Sequence, residues 1–168
     1  MRADPEGNVN MIDLNARELD QAQELLFFAF RNLTAEPDRV LAERGLSRVH
    51  HRVLYFVRRN PGLGPGDLLR ILRVSKQALA RPLRELAARG LLLGEAVPEN
   101  RRRKRLLLTR AGHRFERRIS ELQRRRFAEA FAASGPAAAA SWREVMGLLG
   151  AQPARHGGGV RRVASRRS

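Results

Sequence analysis

The sequence predicts a mainly α-helical protein with one small β-hairpin. Apolar residues recur at helical spacing along most of the 168 residues, and capping residues and glycines separate the helical stretches. Two short apolar segments flank a basic run, Arg101–Arg105, which is the pattern of a hairpin with a charged loop. A chain of this length can bury a core without disulfides or metals, and it contains no cysteine.

The first predicted helix begins after Asn15, because an Asn N-cap with Glu18 three residues later forms a capping box. Its apolar residues spread over several faces: Leu19, Ala22, Leu25, Leu26, Phe27, Phe28, Ala29, Phe30 and Leu33. Such a helix either lies at the centre of a core or packs against a second subunit. The second alternative predicts a dimer.

Two shorter helices are predicted next. Pro37 suits the first turn of a second helix, and Gly45 suits a left-handed stop after it. Ser47 caps a third helix, which ends at Asn60-Pro61-Gly62.

A helix-turn-helix is predicted in the middle of the chain. A short helix opens at Gly64-Pro65, and a helix from Ser75 to Arg89 follows it and stops at Gly90. Pro82 lies inside this last helix and cannot donate a hydrogen bond to the carbonyl four residues earlier. The helix therefore kinks there, starts later than Ser75, or accommodates the ring with a mild bend.

The predicted hairpin consists of Leu91–Val97 and Leu106–Leu108, with the basic run at its tip. A long helix follows from Arg110 to Ser134-Gly135, and Pro136 begins a final helix. The segment 151–168 has almost nothing to bury, so it is predicted to be disordered.

Positive charge is concentrated in one block of the chain. The net charge is +16, and residues 46–110 hold 16 basic and 4 acidic residues, whereas residues 1–45 hold 5 basic and 9 acidic ones. A preference for Arg codons explains why nearly all the cations are Arg, but it does not explain the excess over acids. This segregation favours a polyanionic partner such as nucleic acid.

Several other classes of protein do not fit the sequence. It lacks a Ser-His-Asp grouping and the HExxH, GxxxxGK[ST] and GxGxxG motifs, so no enzyme is predicted. Without cysteine and with few acids near the histidines, no metal site or cofactor is predicted. No apolar run approaches the ~20 residues of a membrane span, so we expect a soluble, cytoplasmic protein without membrane contact.

One set of residues resembles the MarR family of bacterial transcription regulators. It comprises Gly45-Leu46-Ser47, Val53-Leu54, Val74-Ser75-Lys76-Gln77, Leu86, Arg89-Gly90-Leu91, Pro98-Glu99-Asn100-Arg101-Arg102, Leu106-Leu107-Leu108-Thr109 and Ala111-Gly112. The resemblance implies a homodimer with two winged helix-turn-helix modules and a palindromic site on double-stranded DNA. It also implies a pocket for a small aromatic or anionic effector.

The implied organisation has five segments: a flexible N-terminus (1–12), N-terminal dimerisation helices (13–45), the winged helix-turn-helix module (46–109), C-terminal dimerisation helices (110–150) and a disordered basic tail (151–168). The fold class is thus a winged helix-turn-helix flanked by dimerisation helices at both ends.

The resemblance also implies which residues contact DNA. The positions that face the major groove are Ser75, Lys76, Gln77, Ala80 and Arg81. Arg and Lys can bond guanine, Gln can bond adenine, and Ala can touch a thymine methyl. Arg84 is expected to reach phosphate.

The hairpin, or wing, is expected to contact DNA through Arg101, Arg102, Arg103 and Lys104, with Arg102 in the minor groove. Val97 and Asn100 stand where the family carries acids that orient the wing arginines. The wing contacts should therefore be looser and more purely electrostatic.

For the implied effector pocket, the candidate residues are His50, His51 and Tyr55. Core packing or hydrogen bonding explains the same residues without a ligand. The predicted function is a dimeric, sequence-specific DNA-binding regulator, a repressor relieved by a small ligand. Two alternatives stay open: a non-specific architectural protein that coats nucleic acid, and a ligand- or partner-binding protein whose helix-turn-helix has drifted.

Overall fold

The structure, a computed structural model, describes residues 15–97 and 100–151, with the side chains of residues 100–103 left out. The predictions for residues 1–12, for the tail beyond residue 151 and for the side chains of Arg101, Arg102 and Arg103 lie outside the described part. The elements are α1 (Ala16–Ala42), α2 (Arg48–Arg59), α3 (Pro65–Leu72), α4 (Lys76–Ala88), β1 (Leu92–Val97), β2 (Asn100–Leu108) and α5 (Arg110–Gly150). They form two compact units that divide between Phe127 and Ala128.

Helix α1 is one continuous helix where two were predicted. It starts with the expected capping box, in which the Glu18 N–H donates to Asn15 Oδ1 at 3.1 Å. The prediction that a helix begins at Pro37 was wrong, because α1 runs through this residue. A proline removes one hydrogen bond but keeps a helical φ, and burying Pro37 with Val40 and Leu41 offsets that loss.

The core of the first unit lies between α2, α3, α4, the hairpin and the start of α5. The side chains of Val53, Leu54, Leu68, Leu86 and Ile119 are completely buried in it. Each comes from the apolar stripe of its helix, so the helical periodicity of the sequence decides which face points inward.

The hairpin is antiparallel and pairs Leu92 with Leu108 and Glu95 with Arg105. The prediction that the basic run Arg101–Arg105 forms the loop at the tip was wrong, because this run is part of strand β2. Its β2 strand is fastened to the helix-turn-helix, since the Leu106 N–H donates to the Leu63 carbonyl at 2.8 Å. The wing is therefore held in place by the main chain of the loop before α3.

A tight junction connects the hairpin to α5. The Thr109 hydroxyl donates to the Gly90 carbonyl at 2.6 Å and accepts from the Gly112 N–H at 3.0 Å. A Cβ atom on Gly112 would lie 2.0 Å from the Leu91 carbonyl oxygen. Only glycine therefore fits where the first turn of α5 crosses the main chain before β1.

A buried ion pair joins α2 to α5. Glu116 is fully buried, and its carboxylate accepts from Arg58 at 2.7 Å and from the Ser120 hydroxyl at 2.5 Å. Both carboxylate oxygens are thus satisfied, which a buried charge requires.

The second unit begins within α5. Gly135 has φ 84° and ψ 170°, so the helix is interrupted at the position where the sequence predicts a stop and a restart. The rings of Phe131 and Trp142 meet edge to face at 5.5 Å across this interruption. Beyond it, the unit exposes Val145, Leu148 and Leu149. Among the described helices, none combines the length and the apolar character that a membrane span needs.

Candidate nucleic-acid interface

The N-terminal half of α4 presents polar and basic side chains to solvent. Its inner face consists of Leu79, Pro82 and Leu86, which are all buried. On the outer face, Ser75, Lys76, Gln77, Arg81 and Arg84 are exposed, and Ala80 is half-buried. The structure thus places the predicted α4 residues on one accessible helix face.

Local interactions fix the start of both helices of the helix-turn-helix. The Gly64 N–H donates to the Asp67 carboxylate at 3.0 Å ahead of α3, and the Ala78 N–H donates to Ser75 Oγ at 3.2 Å in α4. Between the helices, Arg73 takes a left-handed conformation with φ 52°. This conformation makes the turn tight, as a helix-turn-helix needs.

The structure excludes one of the alternatives raised for Pro82, a late helix start. Helix α4 begins at Lys76, directly after its Ser75 N-cap, so it does not start late. It continues through Pro82 to Ala88, and the proline ring is buried. The ring therefore forms part of the inner face, where its packing offsets the lost hydrogen bond.

On the wing, the side chain of Lys104 is exposed. Arg105 belongs to the same basic run but bonds Glu95 across the hairpin, with Arg105 Nη2 at 3.0 Å from Glu95 Oε2. The antiparallel register places Arg105 opposite Glu95. Neither this register nor the ion pair was predicted from the sequence.

A chain of hydrogen bonds reaches Arg81 from the protein interior, and the sequence analysis missed it. Arg81 Nε donates to Glu85 Oε1 at 2.8 Å, and Glu85 Oε2 lies 2.7 Å from His50 Nε2. His50 is buried in α2, and its Nδ1 accepts from the Ser47 N–H at 3.0 Å. The bonds from Arg81 and His50 lower the pKa of Glu85, and the bond to Glu85 raises the pKa of Arg81.

A cavity of about 210 Å³ lies between α1, α2 and α5 within the first unit. His51 and Tyr55 line it, whereas His50 faces Glu85 and is not among the lining residues. The remaining lining residues were not predicted from the sequence; they are Phe30, Thr34, Arg48, Arg52, Phe56 and Gln123.

The buried Nε2 atom of His51 has no hydrogen-bond partner among the described residues. Burial lowers the pKa of His51, although the charges of Glu116 and Asp38 act in the opposite direction. Arg48 also lines the cavity, where its guanidinium lies 5.1 Å from the centre of the Phe30 ring and its Nε donates to Asp38 at 2.9 Å. The cavity therefore combines aromatic walls, two arginines and the ring of His51.

The chain is similar to known proteins in sequence and in structure. A family model described as MarR family matches residues 44–103. The HTH-type transcriptional regulator PetP of Rhodobacter capsulatus is 39% identical over 140 residues, which cover 83% of this chain and 84% of PetP.

Solved structures with this fold include a MarR family transcription regulator with a TM-score of 0.68 at 23% identity, covering 80% of this chain and 89% of that one. A crystal structure of MarR has a TM-score of 0.59 at 26% identity, and the match covers 79% of this chain and 94% of the MarR chain. The transcriptional repressor CouR, bound to a 23-mer DNA duplex, has a TM-score of 0.64 at 20% identity, and the match covers 83% of this chain and 99% of the CouR chain. From its sequence similarity along most of its length and from its winged helix-turn-helix, the chain belongs to the MarR family of transcription regulators.

Proposed function

We propose that the protein is a homodimeric repressor that binds a palindromic site on double-stranded DNA and is released by a small ligand. The observation that carries this proposal is the outer face of α4, which offers Lys76, Gln77 and Arg81 on one exposed surface. CouR, which shares the fold, is bound to a DNA duplex. The function requires no catalytic step, cofactor or metal.

In this proposal α4 lies in the major groove. Arg81 and Lys76 bond guanine, Gln77 bonds adenine, Ala80 contacts a thymine methyl, and Arg84 reaches phosphate. Wing residues Arg101, Arg102, Arg103 and Lys104 follow the backbone and the minor groove. Segments 13–45 and 110–150 hold the two subunits together.

Substitutions in α4 test whether these side chains read bases. Gln77→Ala and Arg81→Ala should each weaken binding to the preferred duplex by ~1–3 kcal/mol and relax base preference at particular positions. The preferred duplex is first selected by the wild-type protein from a randomised pool, and affinities are then measured by fluorescence anisotropy. Arg117→Ala, an exposed Arg in the first half of α5, is the matched control. Equal losses on preferred and random DNA would refute base reading.

The proposed effector site is the cavity lined by His51 and Tyr55. Its cations and aromatic walls suit a small aromatic carboxylate, which would also offer an acceptor to a ring N–H of His51. Benzoate, titrated by calorimetry, should bind the wild type and weaken its affinity for the preferred duplex. His51→Phe should reduce benzoate binding about tenfold, the loss expected for one charge-assisted hydrogen bond, whereas His113→Phe should not. Unchanged DNA affinity at saturating benzoate would refute ligand relief at this site.

A further inference from the structure

Arg81 is one of the exposed base-reading candidates on α4, and an exposed Arg normally samples many rotamers. Its side chain is 80% exposed, yet its Nε is bonded to Glu85. No described residue accepts from its two terminal amino groups. Thus Glu85 holds Nε of the guanidinium, and the two terminal amino groups remain available for a ligand.

The feature that fixes this arrangement is the buried end of the same hydrogen-bond chain. Ser47 donates its N–H to His50 Nδ1, so the proton of the ring lies on Nε2, from which it is donated to Glu85. His50 is 6% exposed and therefore cannot move freely. The carboxylate of Glu85 is held by α2 on one side and orients Arg81 on the other.

A second Arg–Glu pair shows what is special about this one. Arg39 and Glu43 in α1 have the same spacing of four residues and meet at 3.1 Å, but both are exposed. Among the described residues, no histidine is hydrogen-bonded to Glu43, whereas His50 is hydrogen-bonded to Glu85. An exposed pair on its own orders its side chains poorly.

We propose that Glu85, held by His50, is a positioning residue that presents the two terminal amino groups of Arg81 end-on to a guanine. Glu85 and His50 touch no base in this arrangement, yet base selectivity depends on them. The proposal rests on the proposed function, in which Arg81 reads the major groove. Prior ordering of Arg81 also reduces the side-chain entropy that binding would otherwise remove.

The test compares single variants of the full chain on the selected duplex and on random DNA. Glu85→Gln should lower the ratio of the two affinities about 2- to 12-fold, the range expected from ordering one side chain. The loss should come from relaxed preference at one G·C pair in each half-site. Affinity for random DNA should stay equal or rise, because a carboxylate near the phosphates is removed. Glu43→Gln, the matched control, should leave the ratio unchanged.

Two further variants make the outcome decisive. Arg81→Ala alone should lower the ratio about 5- to 150-fold, as expected for one bidentate contact. In that background Glu85→Gln should change the ratio less than twofold, because there is no guanidinium left to orient. Thermal unfolding of each variant verifies that it is folded. If Glu85 had only a general structural role, Glu85→Gln would weaken base preference at every position of the site instead of at one.

The possible failures are distinguishable. If Arg81→Ala relaxes selectivity but Glu85→Gln acts no more strongly than Glu43→Gln, the positioning role is overturned and the proposed function stands. If Arg81→Ala leaves selectivity unchanged, Arg81 does not read bases, and that part of the proposed function fails together with the positioning role.

Discussion

Buried polar residues hold the first unit together and connect its surface to its interior. Glu116 bonds Arg58 and Ser120 inside the core, and His50 bonds Glu85 beneath the exposed face of α4. These residues differ from His51, whose Nε2 is buried without a partner among the described residues. Protonation of His51 is therefore expected to oppose folding.

The pH dependence of stability tests this description of His51. Burial lowers its pKa in the folded protein, so the unfolded chain takes up the proton first, near the usual pKa of about 6.5. Stability is then fully present above that pH and decreases as the pH falls towards the folded-state pKa. Urea unfolding between pH 7.5 and 5.5 should show this loss in the wild type.

The matched variants separate His51 from other groups that titrate in this range. His51→Phe should flatten the pH dependence of the free energy of unfolding. His113→Phe, on an exposed part of α5, should retain the wild-type dependence. Identical slopes for the wild type and His51→Phe would show that His51 does not carry the effect.

At the scale of elements, the junction of the hairpin and α5 is the place where one residue type is strictly required. Replacing Gly112 by Ala puts a methyl group against the Leu91 carbonyl and should destabilise the protein by about 2–3 kcal/mol. The control is Gly147→Ala, where a Cβ meets nothing within 4 Å and helix propensity should raise stability by about 0.5–1 kcal/mol. Denaturant unfolding measures both, and a neutral Gly112→Ala would contradict the close approach.

The wing is the second element in which a single substitution should have a specific effect, here on DNA binding. If Arg102 enters a narrow A·T-rich minor groove, Arg102→Ala should lower affinity most for sites with A·T-rich flanks. It should also flatten the log–log salt dependence by about one unit, as expected for one lost phosphate contact. Titrations of sites that differ only in their flanks measure both effects. Unchanged slope and flank preference would mean that this side chain is only solvated.

Most elements could be predicted from the sequence because their signals are local. The Ser75 cap, the Gly90 stop and the interruption at Gly135 each depend on a few neighbouring residues, and the structure confirms them. The helix start at Pro37 was wrong because burial of that ring, a tertiary effect, overrides the local preference. The link from His50 to Glu85 joins residues 35 positions apart, and no local pattern indicates it.

At the scale of the whole molecule, apolar side chains remain exposed at both ends of the described chain. Phe27 is 62% exposed on α1, and Leu148 is 73% exposed in the second unit. Soluble monomers rarely expose apolar patches of this kind without an interaction partner. Together with the membership of the MarR family, these surfaces support the proposed homodimer.

Charge substitutions on these surfaces test the dimer. Phe27→Asp and Leu148→Asp should each shift the protein towards monomer in sedimentation velocity at micromolar concentration and weaken binding to a palindromic duplex. Leu93→Asp replaces an apolar residue that is 50% exposed on β1 and should leave the sedimentation unchanged. A wild-type protein that sediments as a monomer would refute the dimer.

If α4 reads bases, the protein binds one DNA sequence in preference to others. The most direct measurement is the affinity of the wild type for its selected duplex and for random DNA of the same length, at two salt concentrations. A sequence-specific regulator should prefer the selected duplex by at least ~10³ at physiological salt, with both affinities falling as salt rises. Equal affinities for both duplexes at both salt concentrations would contradict base reading by α4 and favour a non-specific coating protein.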